Sequence, residues 1–385
     1  MKAYLNNFSL QVIISTLPNS IIVVFIPLFL EHLGIQGVYL GLAFTSVRLL
    51  SILGGLSTPY FLRRFPPSSV SFGAEVLNFG LIVVAILALH NTFGALFFIA
   101  IILKGSSIGL INTTRFYWLK NLEDKTLSKR IFIAVNSIYQ STYGLAGVLY
   151  LYLSECENIL YYLLYIDAFS SLLGAFLFYS LRSFNVREQE VNSSVSKFFE
   201  IFRFPFAYLT LMDFTFALAM GGINVLLVKY GSVYLENFGG YGGALLIYGI
   251  FYFLGGVFIN KNKNDQFYDR LFRSPYISLG LLLGFSLLAI GSDRVFFSIL
   301  GLVLIFFLGP VYSLVIQSKW LDLSPGAEAS QYFASRTFLV QVVMAVGESL
   351  YAALSKDIYI RILLVVIFFL LNVFVSKKIA STERS

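Results

Sequence analysis

The chain has 385 residues, of which 58% are hydrophobic and only 12% charged, with 40 phenylalanines and 24 tyrosines. Soluble domains carry roughly 25% charged residues because their outer faces meet water, so this composition excludes an ordinary soluble domain and requires lipid as solvent. The net charge of +7 does not mark a nucleic-acid partner, because the basic residues are scattered among apolar runs instead of forming a patch. The single cysteine, Cys156, and the distant His32 and His90 exclude an intramolecular disulfide and a thiolate or histidine metal cage.

Roughly 20 apolar residues cross a bilayer core as a helix, whose backbone hydrogen bonds are all satisfied internally. In chain order the sequence predicts spans at 8–30, 38–60, 69–89, 93–114, 131–153, 158–181, 206–235, 241–259, 275–291, 295–317, 333–354 and 358–376. The first run is too long for the apolar region of a signal peptide and has no small-residue cleavage site, so it reads as a retained span. A lipid-facing β-barrel would show alternating segments of about ten residues. Continuous runs such as Ile358 to Val375 oppose that.

The loops orient the spans. With the N-terminus cytoplasmic, the outside segments hold only Arg294, Lys356 and Arg361, and Arg48, Lys104, Lys229 and Arg336 lie within spans. The other 20 of the 27 basic residues fall inside, which is the positive-inside asymmetry. Both termini are therefore expected to be cytoplasmic.

The longest hydrophilic stretch between spans, Arg182 to Arg203, divides the chain into near-equal parts that resemble each other. Leu30-Glu31-His32-Leu33-Gly34 recurs as Leu235-Glu236-Asn237-Phe238-Gly239, Leu53-Gly54-Gly55 as Leu254-Gly255-Gly256, and Trp118-Leu119 as Trp320-Leu321. The offsets are 205, 201 and 202 residues. Two parallel six-helix repeats are a known transporter architecture, and here the chain resembles the major facilitator superfamily over essentially its whole length. That family carries Gly-x-x-x-Asp-Arg-x-Gly-Arg-Arg between helices 2 and 3. The matching stretch runs from Gly55 to Arg63-Arg64, with Pro59 and Tyr60 in place of the acid–base pair. In the second half Gly256 leads to Asn260-Lys261, amide for acid and lysine for arginine. The resemblance implies that Arg63, Arg64, Asn260 and Lys261 form a cytoplasmic gate; the alternative is that the basic ones only anchor the topology. Span 5 carries Tyr143-Gly144-Leu145-Ala146-Gly147, without the Gly-Pro pair of the family's drug/proton antiporters.

Polar groups at mid-membrane depth are costly and therefore informative. Arg48, Glu75, Lys104, Asp167, Asp213, Lys229, Arg336 and Glu348 qualify, four acids and four bases, which suggests pairing. The resemblance places helices 7 and 11 side by side, and depth then predicts two stacked coupling pairs, Asp213–Arg336 and Lys229–Glu348. The alternative is that these pairs only register the two helices. Asn19 maps onto Asn224 at the 205 offset, as a binding site on a pseudo-twofold axis would show; the alternative is that each asparagine only bonds a neighbouring helix. Asn136, Gln140 and Tyr143 share one face of span 5 at helical spacing, and Tyr248 and Tyr252 lie one turn apart on span 8. Arg48 and Lys104 near the midplane point to a carboxylate- or phosphate-bearing solute. Alternatively, one of them pairs with Asp167 or Glu75 and meets no substrate.

The expected fold is all-α and integral to the membrane: twelve transmembrane helices in two pseudo-symmetric six-helix bundles, residues 1–181 and 206–385, joined by a cytoplasmic loop at 182–205. The expected function is secondary active transport of a small organic solute, leaning toward an organic anion, by proton-coupled alternating access. Rival readings are an exporter of drugs or lipophilic cations and a non-transporting receptor or scaffold. No nucleophile–base pair or phosphate loop supports an enzyme, and no cofactor is expected. The expected partners are the solute, the lipid bilayer and protons, with the chain monomeric and in the plasma membrane.

Overall fold

The computed structural model describes residues 10–15, 18–19, 21–22, 38–121, 125–153, 158–180, 201–203, 206–218, 220, 240–261, 267, 270–271, 276–290, 294–324, 329–353, 370 and 374. Among them regular structure is helical throughout. The helices are α1 (helical at 10–15, 18–19 and 21–22), α2 (Val38–Leu62), α3 (Pro67–His90), α4 (Gly94–Lys120), α5 (Lys125–Leu153), α6 (Ile159–Ser180), α7 (Phe206–Leu218), α8 (Gly240–Lys261), α9 (Tyr276–Ile290), α10 (Val295–Leu323) and α11 (Ala329–Ala353). They overlap the first eleven expected spans in order. The twelfth lies outside the described residues apart from the helical Leu370 and Phe374. Helices α3, α4, α6, α8 and α10 are each long and apolar enough to cross a membrane.

Helix ends follow backbone chemistry and overrun the hydropathy boundaries. Hydropathy ends span 4 at residue 114, yet α4 continues to Lys120. Its stop is Asn121, whose amide N–H bonds the Tyr117 and Trp118 carbonyls and whose side chain donates to Tyr117 O at 2.9 Å. Those bonds satisfy carbonyls that a helix end otherwise strands. Between α2 and α3 the chain turns at Arg63-Arg64-Phe65, with the Phe65 N–H on the Phe61 carbonyl at 2.9 Å. Pro66 and Pro67 then open α3, where a proline's missing N–H costs nothing.

The chain forms two compact units: residues 1–135, 153–199 and 324–341, and residues 136–152, 200–323 and 342–385. In the first, α2 and α4 run parallel at backbone contact. A Cβ on Gly54 would lie 2.0 Å from the Ser106 carbonyl oxygen, and one on Gly109 would lie 1.8 Å from that of Ser51. Small residues at such crossings let helices approach where lipid offers no hydrophobic drive. In the second unit α8 and α10 meet in the same way, with a Gly255 Cβ falling 2.5 Å from the Phe307 carbonyl oxygen. Gly54 to Gly255 and Ser106 to Phe307 are both steps of 201 residues, so the repeat seen in sequence recurs as an interatomic contact. Also in the second unit, α5 crosses α8 antiparallel, and a Gly249 Cβ would lie 2.2 Å from the Gly144 Cα.

The arrangement is inside-out relative to a soluble bundle. On α6, Tyr162, Tyr165, Ile166, Phe169, Leu172 and Phe176 form an exposed stripe, with Phe169 68% and Phe176 67% accessible. The opposite face buries Asp167, Ser170, Ser171 and Gly174. Apolar outside and polar inside is the pattern lipid imposes.

Candidate functional site

In the first unit, buried polar side chains from α1, α3, α4 and α6 form a ladder. Its first rung is Lys104 on α4, whose ammonium contacts the Asp167 carboxylate on α6, with side-chain exposures of 5% and 0%. Next, the Asn78 amide on α3 donates to Ser171 Oγ on α6 at 2.7 Å and accepts from Ser107 Oγ on α4 at 3.1 Å. The last rung centres on Glu75 of α3. Gln11 Nε2 of α1 donates to Glu75 Oε1 at 2.9 Å, and Arg115 Nη2 of α4 donates to Gln11 Oε1 at 3.2 Å. The Arg115 guanidinium is 4.0 Å from Glu75. Spacing on each helix explains the register: 75 and 78 on α3, 104 and 107 on α4, and 167, 171 and 174 on α6 each share a face at helical intervals.

Where α4 nears Lys120, aromatic rings close the same unit. Phe116 stacks on Phe333 of α11 with centroids 3.9 Å apart and planes at 12°, and Phe132 of α5 meets it edge-on at 5.9 Å. Nearby Trp118 packs on Phe178 of α6 at 5.3 Å.

In the second unit, the buried Asp213 on α7 accepts a hydrogen bond from the Trp320 indole Nε1 of α10 at 2.7 Å, and Phe206 stacks on that indole at 5.2 Å. Hydrogen bonds to charged groups are worth about 1.5 to 3 kcal/mol. Trp320→Phe, which keeps most of the ring and removes the donor, is therefore expected to cost about 2 kcal/mol in detergent unfolding. Loss of less than a few tenths would mean that Asp213 does not depend on this donor. Tyr248 of α8 gathers Tyr143 of α5 at 5.4 Å, Tyr252 at 5.5 Å and Phe306 of α10 at 4.7 Å.

No family model and no curated protein matches the sequence. Solved structures do. The human organic anion transporter MFSD10 (TETRAN) superposes with TM-score 0.79 at 14% identity, over 97% of this chain and 99% of that one. A bacterial homologue of the iron transporter ferroportin, outward-facing, gives 0.74 at 14% over 97% and 99%. The proton:xylose symporter XylE, of the major facilitator superfamily, gives 0.68 at 15% over 97% and 95%. The chain has the major facilitator fold.

Within that fold the expected site residues separate. Of the two readings of Lys104, substrate ligand or partner of an intramembrane acid, the contact of its ammonium with Asp167 favours the second, since an unpaired charge there would be costly. Asn19 is buried on α1, while Arg48 on α2 and Asn136 on α5 are half-buried. Gln140 lies on α5 and Glu348 on α11, with side chains outside the described set, and Asn224 and Lys229 lie outside the described residues altogether. Asp213 and Arg336 are both buried, at 4% and 7%. At the end of α2, Arg63 and Arg64 are exposed, and the Arg64 guanidinium sits 4.5 Å above the Tyr60 ring. Asn260 is half-buried and Lys261 exposed at the end of α8.

Sequence reasoning missed Gln11, Asn78, Ser107, Arg115 and Ser171 as members of one network. The expected span 4 stops at residue 114, one residue before Arg115, whereas the helix continues to Lys120. The apolar run Phe116 to Leu119 was the available sign that the helix continues.

Proposed function

We propose that the protein is a secondary active transporter moving a small organic solute, with a lean toward an organic anion, by proton-coupled alternating access. The observation that carries this reading is the major facilitator fold across 97% of the chain, with charged and amide side chains held inside apolar helices. The neighbours of this fold include an organic anion transporter, a homologue of an iron transporter and a proton:xylose symporter, so the fold alone favours transport without selecting the solute. Arg48 supports the lean toward anions: it is half-buried on α2, a helix that the family resemblance implies lines the central cavity, and a guanidinium grips a carboxylate through two parallel hydrogen bonds. With Lys104 neutralised by Asp167, Arg48 is the basic residue on which the anion reading rests.

The same proposal takes twelve spans in two pseudo-symmetric bundles, 1–181 and 206–385, around the 182–205 loop, with both termini cytoplasmic. The chain is monomeric in the plasma membrane. Asn19, Asn136, Gln140 and Asn224 join Arg48 at the solute. Asp213, Arg336, Lys229 and Glu348 serve coupling, and Arg63, Arg64, Asn260 and Lys261 serve the cytoplasmic gate.

A second reading, export of a lipophilic or cationic solute, is favoured by the Tyr143, Tyr248, Tyr252 and Phe306 cluster, since aromatic faces attract cations and flat apolar groups. In proteoliposomes, an imposed pH gradient is expected to drive uptake of labelled organic anions, and Arg48→Ala to reduce it at least tenfold, about 1.4 kcal/mol. Anion uptake indifferent to both the gradient and the substitution would sink the favoured reading. Uptake of lipophilic cations by the same vesicles would support the second.

A further inference from the structure

We propose that Glu75 is a proton-binding site, and that with Gln11 and Arg115 it forms a proton-operated switch joining α1 to α3 and α4. The proposal deepens the proton-coupled reading by naming a site for the proton; its chemistry does not depend on which solute is carried.

Glu75 and Asp167, both buried in the first unit, meet their cations differently. Asp167 is in direct contact with Lys104. Glu75 is held from Arg115 at 4.0 Å, beyond the reach of an N–H···O bond, and a neutral amide is interposed. Gln11 offers its NH₂ to Glu75 and its carbonyl to Arg115. The arrangement therefore conveys charge through a group that can pair with either form of the acid. A carboxylate accepts from the Gln11 NH₂, and so does the carbonyl oxygen of a carboxylic acid.

The second oxygen of Glu75 supplies the place for the proton. Among the described residues Glu75 Oε2 has no hydrogen-bond partner, although the side chain is fully buried. It faces Gly174 on α6, where a Cβ would come within 3.5 Å of Oε2 and 3.1 Å of Oε1. Ser15 of α1 also hydrogen-bonds the carboxylate, and Lys104 of α4 and Asp167 of α6 act on it through charge. Lys104 and Asp167 are already engaged with each other. Arg115 is thus the cation whose pairing changes when Glu75 gains a proton.

Arg115 has a second direction available. Its Nη1 lies 3.4 Å from Asn112 Oδ1, and Asn112, one turn earlier on α4, is exposed. A proton arriving from water binds Oε2, no other covalent bond changes, and the carboxylate charge is lost. The guanidinium then has less to hold it toward Gln11 and is left to the Asn112 bond it already makes and to water. That change loosens the tether from α4 to α1 through Gln11.

The test is infrared difference spectroscopy of the full chain in phosphatidylcholine vesicles, stepped from acid to alkaline pH without any solute. The expected result is a protonated-carboxyl stretch that fades as pH rises, is lost in Glu75→Gln and is retained in Asp167→Asn. Arg115→Gln is expected to displace the midpoint of that stretch by about one pH unit or more, as removal of a cation at this distance should. A titrating stretch that survives Glu75→Gln, or a midpoint unmoved by Arg115→Gln, overturns the proposal. If Glu75→Gln does not fold, the Arg115→Gln midpoint decides alone. A titrating Glu75 in vesicles where no pH gradient drives uptake would support the site and remove the proton-coupled transport reading.

Discussion

Lys104→Met is expected to destabilise the protein by about 3 to 5 kcal/mol, because it strands a buried carboxylate while leaving its burial intact. Asp167 is wholly buried, and its Oδ1 has no hydrogen-bond partner among the described residues, so Lys104 is what compensates its charge. Neutralising both partners, as in Lys104→Met with Asp167→Leu, is expected to recover most of that loss, since a buried ion pair contributes little beyond an apolar pair of similar volume. Unfolding in detergent micelles measures both. A single substitution that costs less than about 1 kcal/mol would mean that water reaches Asp167. The comparison also separates two roles for Lys104. A substrate ligand would lose transport with stability unchanged, whereas a buried structural partner loses stability first.

Gly109→Leu is expected to be at least as damaging, at or above the roughly 3 kcal/mol upper range of overpacking. Its Cβ would fall 1.8 Å from the Ser51 carbonyl oxygen and 2.8 Å from the Gly55 amide nitrogen. Both are backbone atoms that no rotamer change can move, so α2 and α4 must separate. The contrast is Gly80→Leu on α3, where nothing lies within 4 Å of the added carbon. There the substitution faces open space and removes a helix-weakening glycine, so its effect is expected within about 1 kcal/mol and in the stabilising direction. Folded yield and melting temperature of the two variants check this. Equal behaviour would show that the α2–α4 contact is not tight.

Several features were legible in the sequence because they depend on local composition. Long apolar runs place helices wherever lipid is the solvent, and among the described residues the first eleven expected spans overlap helices. The Leu53-Gly54-Gly55 and Leu254-Gly255-Gly256 match was legible as a repeat, and both Gly54 and Gly255 turn out to sit where a carbonyl of the facing helix comes too close for any larger residue. Trp118 and Trp320, matched in the sequence, are both buried. The chemistry of the polar residues was less legible. Lys104 and Asp167 are 63 residues apart, and Gln11 and Arg115 are 104 apart, so no spacing rule links them. Hydropathy also ended span 4 one residue before Arg115, because a window average responds to charge while the helix itself responds to backbone hydrogen bonding.

By itself, then, the sequence determined that this is an α-helical membrane protein with a repeat that resembles the major facilitator superfamily. Those properties follow from hydrophobic run length, loop charge and glycine placement, all of them additive along the chain. Only the tertiary structure decided which charges neutralise each other. It paired Lys104 with Asp167 and brought Gln11, Glu75 and Arg115 together. The physical reason is that pairing in a low-dielectric interior is settled within a few ångströms, by which helix faces meet, and that is a property of the packed bundle.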